Sequence, residues 1–184
     1  MVPSNHLVLC MDGTDQRGVV VASEDRSEPL AHRQAPERPV TNIPELPVAF
    51  FSFLLHFVWE FLQAPTYAGM ANMSHWEAVK LCLSATLGDV GFALTAFGVA
   101  SFIARDRGWI FTPQRRPAAV FLAVGLILTI VFEYYYTNVS LRWTYSELMP
   151  IVPPFGTGLS PLVQWLVIPP LVLWMTRRHL RGAV

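Results

Sequence analysis

The chain has 184 residues, of which 53% are hydrophobic and only 14% charged, too apolar a balance for an ordinary soluble domain. Its 13 basic and 13 acidic residues cancel, which removes any electrostatic case for nucleic-acid binding. Two cysteines, Cys10 in a polar stretch and Cys82 in an apolar one, imply no disulfide framework.

Residues 1–46 mix Asp, Glu, Arg, Ser, Pro and Gln with scattered apolar residues and no sustained period, and are expected to form a disordered cytoplasmic tail. Four segments long enough to span a bilayer follow, at about 47–64, 79–104, 118–138 and 161–176. The first is about 18 residues, roughly 27 Å at the helical rise, with Pro47 suited to a helix start and Pro65 to a stop. Between Pro47 and Ala104 the only charged residues are Glu60, Glu77, Lys80 and Asp89. The fourth segment is expected to be short and kinked at Pro169-Pro170. Residues 179–184 read as a cytoplasmic C-terminal tail. The expected class is therefore all-α, an integral membrane four-helix bundle over residues 47–178.

Arg105, Arg107, Arg115 and Arg116 lie between helices two and three, and Arg177, Arg178 and Arg181 follow helix four. The positive-inside rule then puts both termini and the middle loop in the cytoplasm of a multi-pass protein of the plasma, or inner, membrane. In that orientation His56 lies near mid-membrane, Glu60 in the outer half and Gln63 at the outer edge. Asp89 reaches the middle from helix two, Glu133 the outer half from helix three, and Gln164 the outer start of helix four. His56, Glu60 and Gln63, spaced i, i+4 and i+7, share one helical face. Cys82, Thr86, Asp89, Ala93, Ala96 and Ala100 make a small-residue stripe on helix two, and Gly125, Thr129, Glu133 and Tyr136 do so on helix three.

An ionisable group in hydrocarbon costs several kcal/mol, so polar side chains converging on one depth point to a functional site. Glu60, Asp89 and Glu133 are the expected acid–base groups, with His56 assisting. Gln63, Trp59, Trp143, Tyr145 and Gln164 are expected to bind the substrate, a membrane lipid or isoprenoid. Trp59, Trp143, Trp165 and Tyr134 to Tyr136 would line an apolar cavity able to stabilise positive charge. Two other functions fit the same residues. One is a small proton- or cation-coupled transport or binding module. The other is a structural subunit in which the carboxyls only tie helices together, and a homo-oligomer stays open. No metal or other cofactor is expected: a single intramembrane histidine gives weak support for metal and none for haem. The loop Met149–Gly158, rich in Pro and Gly, is either a lid over the site or a stiff connector.

The runs Trp59–Tyr67, Gly88-Asp89, Arg142–Pro150 and Gly158–Trp165 resemble a family of small uncharacterised bacterial multi-pass membrane proteins. The resemblance covers about residues 47–178 and implies membrane location, with no activity. A looser likeness, in architecture alone, is to the four-helix sterol-isomerase and sigma-2 receptor superfamily. It lends the enzyme reading plausibility and transfers no residue.

Overall fold

A computed structural model describes residues 43–112 and 114–182. The expected tail lies outside these residues except at its last few positions. The described chain is mostly helical and belongs to the all-α class. Its four main helices are α1 (Glu45–Gln63), α2 (His75–Ala104), α3 (Arg115–Tyr134) and α4 (Leu159–Gly182). All four are long and apolar enough to cross a membrane by length and composition. The helix α1 packs on α2 and α4, and α3 packs on the same two, so each helix has two neighbours.

The ends differ from those expected, for local reasons. Helix α2 starts at His75 because Ser74 and Glu77 form a reciprocal cap, with the Glu77 N–H on Ser74 Oγ and the Ser74 N–H on Glu77 Oε2. It stops where Arg105 turns left-handed, at φ 51°. Helix α4 continues as one element through Pro169 and Pro170 to Gly182, six residues beyond the expected end at Thr176. The two prolines withdraw donors from the carbonyls of Trp165 and Leu166 without interrupting it. After Tyr134 the helical path widens into a π turn over Tyr135–Val139.

One end of the molecule is sealed. A 3-10 turn at Arg107–Phe111 folds Trp109 and Ile110 back between the helices, both with no exposure, and Trp109 donates to Ser101 Oγ at 3.1 Å. Trp109 packs with Phe97 and Phe121 in a core that also holds Val48, Ala96, Ala100, Ile168 and Val172. Arg107 pairs with Glu45 at 2.6 Å, and Arg177 Nε donates to the Ile110 carbonyl at 2.9 Å. The start of α1, the α2–α3 turn and the end of α4 therefore share this arginine-bearing end.

The opposite end is closed by loops that pair with each other. Ala68 N–H donates to the Thr144 carbonyl and Ser146 N–H to the Thr66 carbonyl, both at 2.9 Å, bracketing a bridge between Tyr67 and Tyr145. The Met149–Gly158 loop is an antiparallel ribbon of β1 (Ile151–Val152) and β2 (Thr157–Gly158), with Ile151 opposite Gly158.

Burial runs opposite to that of a water-soluble fold. On α1 the buried stripe is Val48, Ser52, His56, Glu60 and Gln63, while Phe50, Leu54, Val58 and Leu62 are exposed. On α3, Gly125, Thr129 and Glu133 are buried while Ile127 and Val131 are exposed. Facing water, such surfaces would give up roughly 1.5–3 kcal/mol for each large apolar side chain left uncovered.

Candidate functional site: a carboxyl-lined cavity

Between the arginine-bearing core and the paired loops lies a cavity of about 230 Å³. Glu60 from α1, Asp89 from α2 and Glu133 from α3 all line it, as do Gln63, Trp143 and Gln164. Each reaches it because its helix turns a small or polar stripe inward: a Cβ at Gly125 on α3 would overlap the Trp165 ring of α4. Only glycine lets α3 approach α4 this closely, one and two turns below Thr129 and Glu133.

Gln164 is the hub. Buried to 1% exposure, its Nε2 lies 2.8 Å from His56 Nδ1 and 3.1 Å from both Glu60 Oε1 and Asp89 Oδ2. His56 Nδ1 is also 3.3 Å from Asp89 Oδ2. An amide nitrogen has two protons to offer, and here three acceptor atoms surround it. The amide therefore cannot satisfy all three at once, and the His56 ring and the Asp89 carboxyl, 3.3 Å apart, also face each other. Gln63 Nε2 adds a 2.8 Å bond to Glu60 Oε1, and Ser160 Oγ donates to Gln63 Oε1 at 2.8 Å.

Glu133 is held differently. Tyr67 donates to its Oε1 at 3.3 Å and Tyr145 to its Oε2, while the Gly158 N–H donates to the Tyr145 oxygen at 3.0 Å. Because that oxygen already accepts a proton from Gly158, its own hydrogen is directed to Glu133. Burial, and then the neighbouring Glu133 carboxylate, push the Tyr67 and Tyr145 phenols above their ordinary range, so both stay protonated donors. The Trp143 indole N–H is buried beside Glu133 without a well-formed hydrogen bond.

Other expected residues stand elsewhere. His56, 1% exposed, sits behind the cavity wall and acts on it through Gln164 and Asp89. Trp59 does not line the cavity; its indole donates to Ser160 Oγ at 3.3 Å. Tyr134 and Tyr135 are about half exposed and point away, so of the expected aromatic lining Trp143, Trp165 and Tyr136 remain. Tyr145 reaches the cavity only through Glu133. Tyr67, Arg142, Phe92 and Phe132, which no spacing marks as site residues, also line the cavity. Among the described residues no set of three or more His, Cys, Asp and Glu side chains is placed to hold a metal ion, since the Gln164 amide occupies the centre of the cluster.

Comparison with protein-family models, with curated proteins and with solved structures finds no match to the chain.

Proposed function

We propose that this chain is a multi-pass protein of the plasma membrane, a four-helix bundle that performs acid–base chemistry on a lipid or isoprenoid. The arginine-bearing end faces the cytoplasm and the cavity opens in the outer half. The carrying observation is that Glu60, Asp89 and Glu133, from three helices, line one cavity beside a hydrogen-bonded cluster centred on Gln164. Interhelical glue alone would be served at lower desolvation cost by amides and hydroxyls. The inverted burial of α1 and α3 supports the membrane setting.

In this reading Glu60 and Asp89 hold and deliver the reacting proton, and His56 and Gln164 set their geometry. A carboxyl serves as a general acid when protonated and as a general base when ionised, so two side by side can supply both roles. Trp165 offers ring surface to a developing cation, while the Tyr136 and Trp143 rings already carry the Arg142 guanidinium. A transport module needs a polar path to the far side. Below His56 the core is apolar apart from the hydroxyls of Ser52, Ser101 and Thr176 and, among the described residues, holds no charged side chain, and this favours chemistry over passage.

The test is Glu60→Gln and Asp89→Asn in a deletion strain whose lipids are profiled. Folded variants that fail to complement, together with an accumulating lipid precursor, are expected. Folded variants that still complement would sink the acid–base role, and altered solute flux without a lipid change would favour the carrier.

A further inference from the structure

The cavity is bounded on one side by a slot between α2 and α3. Its α2 wall is Leu81, Ala85, Gly88 and Phe92, at i, i+4, i+7 and i+11, a single helical face. Its α3 wall includes Phe132 and Tyr136. Gly88 is exposed, and a Cβ built there meets nothing within 4 Å, so the slot is open at that point. The Phe92 and Phe132 rings, 4.8 Å between centroids, close its lower end.

At the upper end stands Arg142, which also lines the cavity. Its guanidinium lies 5.3 Å from the Tyr136 ring centre and 5.7 Å from that of Trp143, and one nitrogen donates to Ser84 Oγ at 3.0 Å. Two aromatic faces and a hydroxyl fix the fork in place, and no carboxylate among the described residues pairs with it. A pre-positioned guanidinium with donors to spare suits a phosphate or carboxylate. Trp165, 1% exposed and lining the same cavity, leaves its indole N–H without a partner. From Ser84 to Phe92 the slot runs about 12 Å at the helical rise, room for a stretch of acyl or prenyl chain.

We propose that the cavity takes a lipid with an anionic headgroup, the headgroup seated on Arg142 and the chain lying in the slot between α2 and α3. The proposal rests on reading the cavity as a lipid site and adds the headgroup charge and the route of access. With the anion at Arg142, the first part of the chain lies against Glu60 and Asp89. The headgroup is thereby kept from Glu60 and Asp89, which would repel it.

The test is native mass spectrometry of the detergent-purified full chain with oleoyl lysophosphatidate, with monoolein as its uncharged counterpart, and with inorganic phosphate. Wild type should retain one lysophosphatidate at least tenfold better than monoolein. Arg142→Gln should abolish that preference and Arg142→Lys should restore part of it. Gly88→Leu should reduce retention of both lipids at least tenfold, while Gly98→Leu, at an exposed α2 glycine outside the cavity, should change neither. Equal retention of the two lipids by wild type would overturn the headgroup assignment. Equal behaviour of Gly88→Leu and Gly98→Leu would overturn the route. Displacement of lysophosphatidate by inorganic phosphate would mean that the arginine takes a free anion. Should Arg142→Gln melt early, an unaltered preference in a folded Arg142→Ala would count equally against the proposal. Complementation by a folded Glu60→Gln would defeat the acid–base role alone, whereas equal retention of the two lipids by wild type defeats the headgroup assignment alone.

Discussion

Gln164 on α4 places its amide nitrogen 3.1 Å from Asp89 Oδ2 on α2, spanning two helices that sit on opposite sides of the four-helix ring. The same nitrogen serves Glu60 and His56, so removing one neutral side chain leaves several buried polar groups short of a donor.

Gln164→Leu should therefore cost more than the usual interhelical hydrogen bond. A single such bond in a membrane protein is worth about 0.6 kcal/mol on average. Leaving buried acceptors unsatisfied costs about 1–3 kcal/mol. A loss on the order of 2 kcal/mol is expected in reversible unfolding in mixed micelles. A variant within about 0.5 kcal/mol of wild type would show that the amide is dispensable to the cluster.

Much of the inward-facing polar stripe is legible as helical periodicity. The four-residue steps Ser52, His56, Glu60 and Gly125, Thr129, Glu133 are the buried stripes of α1 and α3, as their spacing requires. The misplacement of Trp59 was avoidable by the same rule. Next to Glu60 in sequence, it points about 100° away around the helix and meets Ser160 instead. Tyr134 stands in the same relation to Glu133 and is exposed.

The remainder lies in contacts that periodicity does not encode. That Gln164 rather than His56 would sit at the centre depends on how far α4 is rotated toward α1 and α2. Trp109, inside an arginine-rich turn that reads as a surface loop, is the plug of the opposite end because the turn folds back on α2 and α4. Tyr67 reaches Glu133 only because two loops far apart in sequence pair at Tyr67 and Tyr145.

Gly125→Ala and Gly88→Ala should part company. In a helix, alanine is favoured over glycine by up to about 1 kcal/mol. At Gly88 nothing opposes that gain, and stability should hold or rise. At Gly125 the new methyl collides with Trp165, which is itself packed against His56 and Phe92 and cannot easily retreat. Overpacking of this kind costs about 1–3 kcal/mol, so Gly125→Ala should melt lower in detergent. Equal melting of the two variants would mean that α3 and α4 are not in close contact.

The orientation can be read in intact cells. In a background lacking Cys10 and Cys82, single cysteines at Gln114 and Glu147, exposed at opposite ends, should differ in reactivity toward an impermeant thiol reagent. Labelling is expected at Glu147→Cys and not at Gln114→Cys, because arginines concentrate around the latter. The reverse pattern would put the cavity in the cytoplasmic half.

Glu133 should respond to amide substitution unlike Glu60. Both Glu133 oxygens accept phenol protons, from Tyr67 and Tyr145, so Glu133→Gln turns one acceptor into a donor facing a donor. Glu60 receives its side-chain bonds from Gln63 and Gln164 on a single oxygen, which the amide preserves. Glu133→Gln should thus lose about 1–2 kcal/mol, while Glu60→Gln stays level or gains. Tyr145→Phe should weaken the effect of Glu133→Gln in a double-mutant cycle, since the clash needs both partners. The same phenols set an alkaline limit. Their folded pKa lies above the unfolded value of about 10, so their contribution is complete below that pH. It declines as pH rises further, because the unfolded phenols ionise first. Melting temperature should fall more steeply above about pH 10 in wild type than in Tyr67→Phe/Tyr145→Phe. Parallel slopes would show that the two phenols are not seated on Glu133.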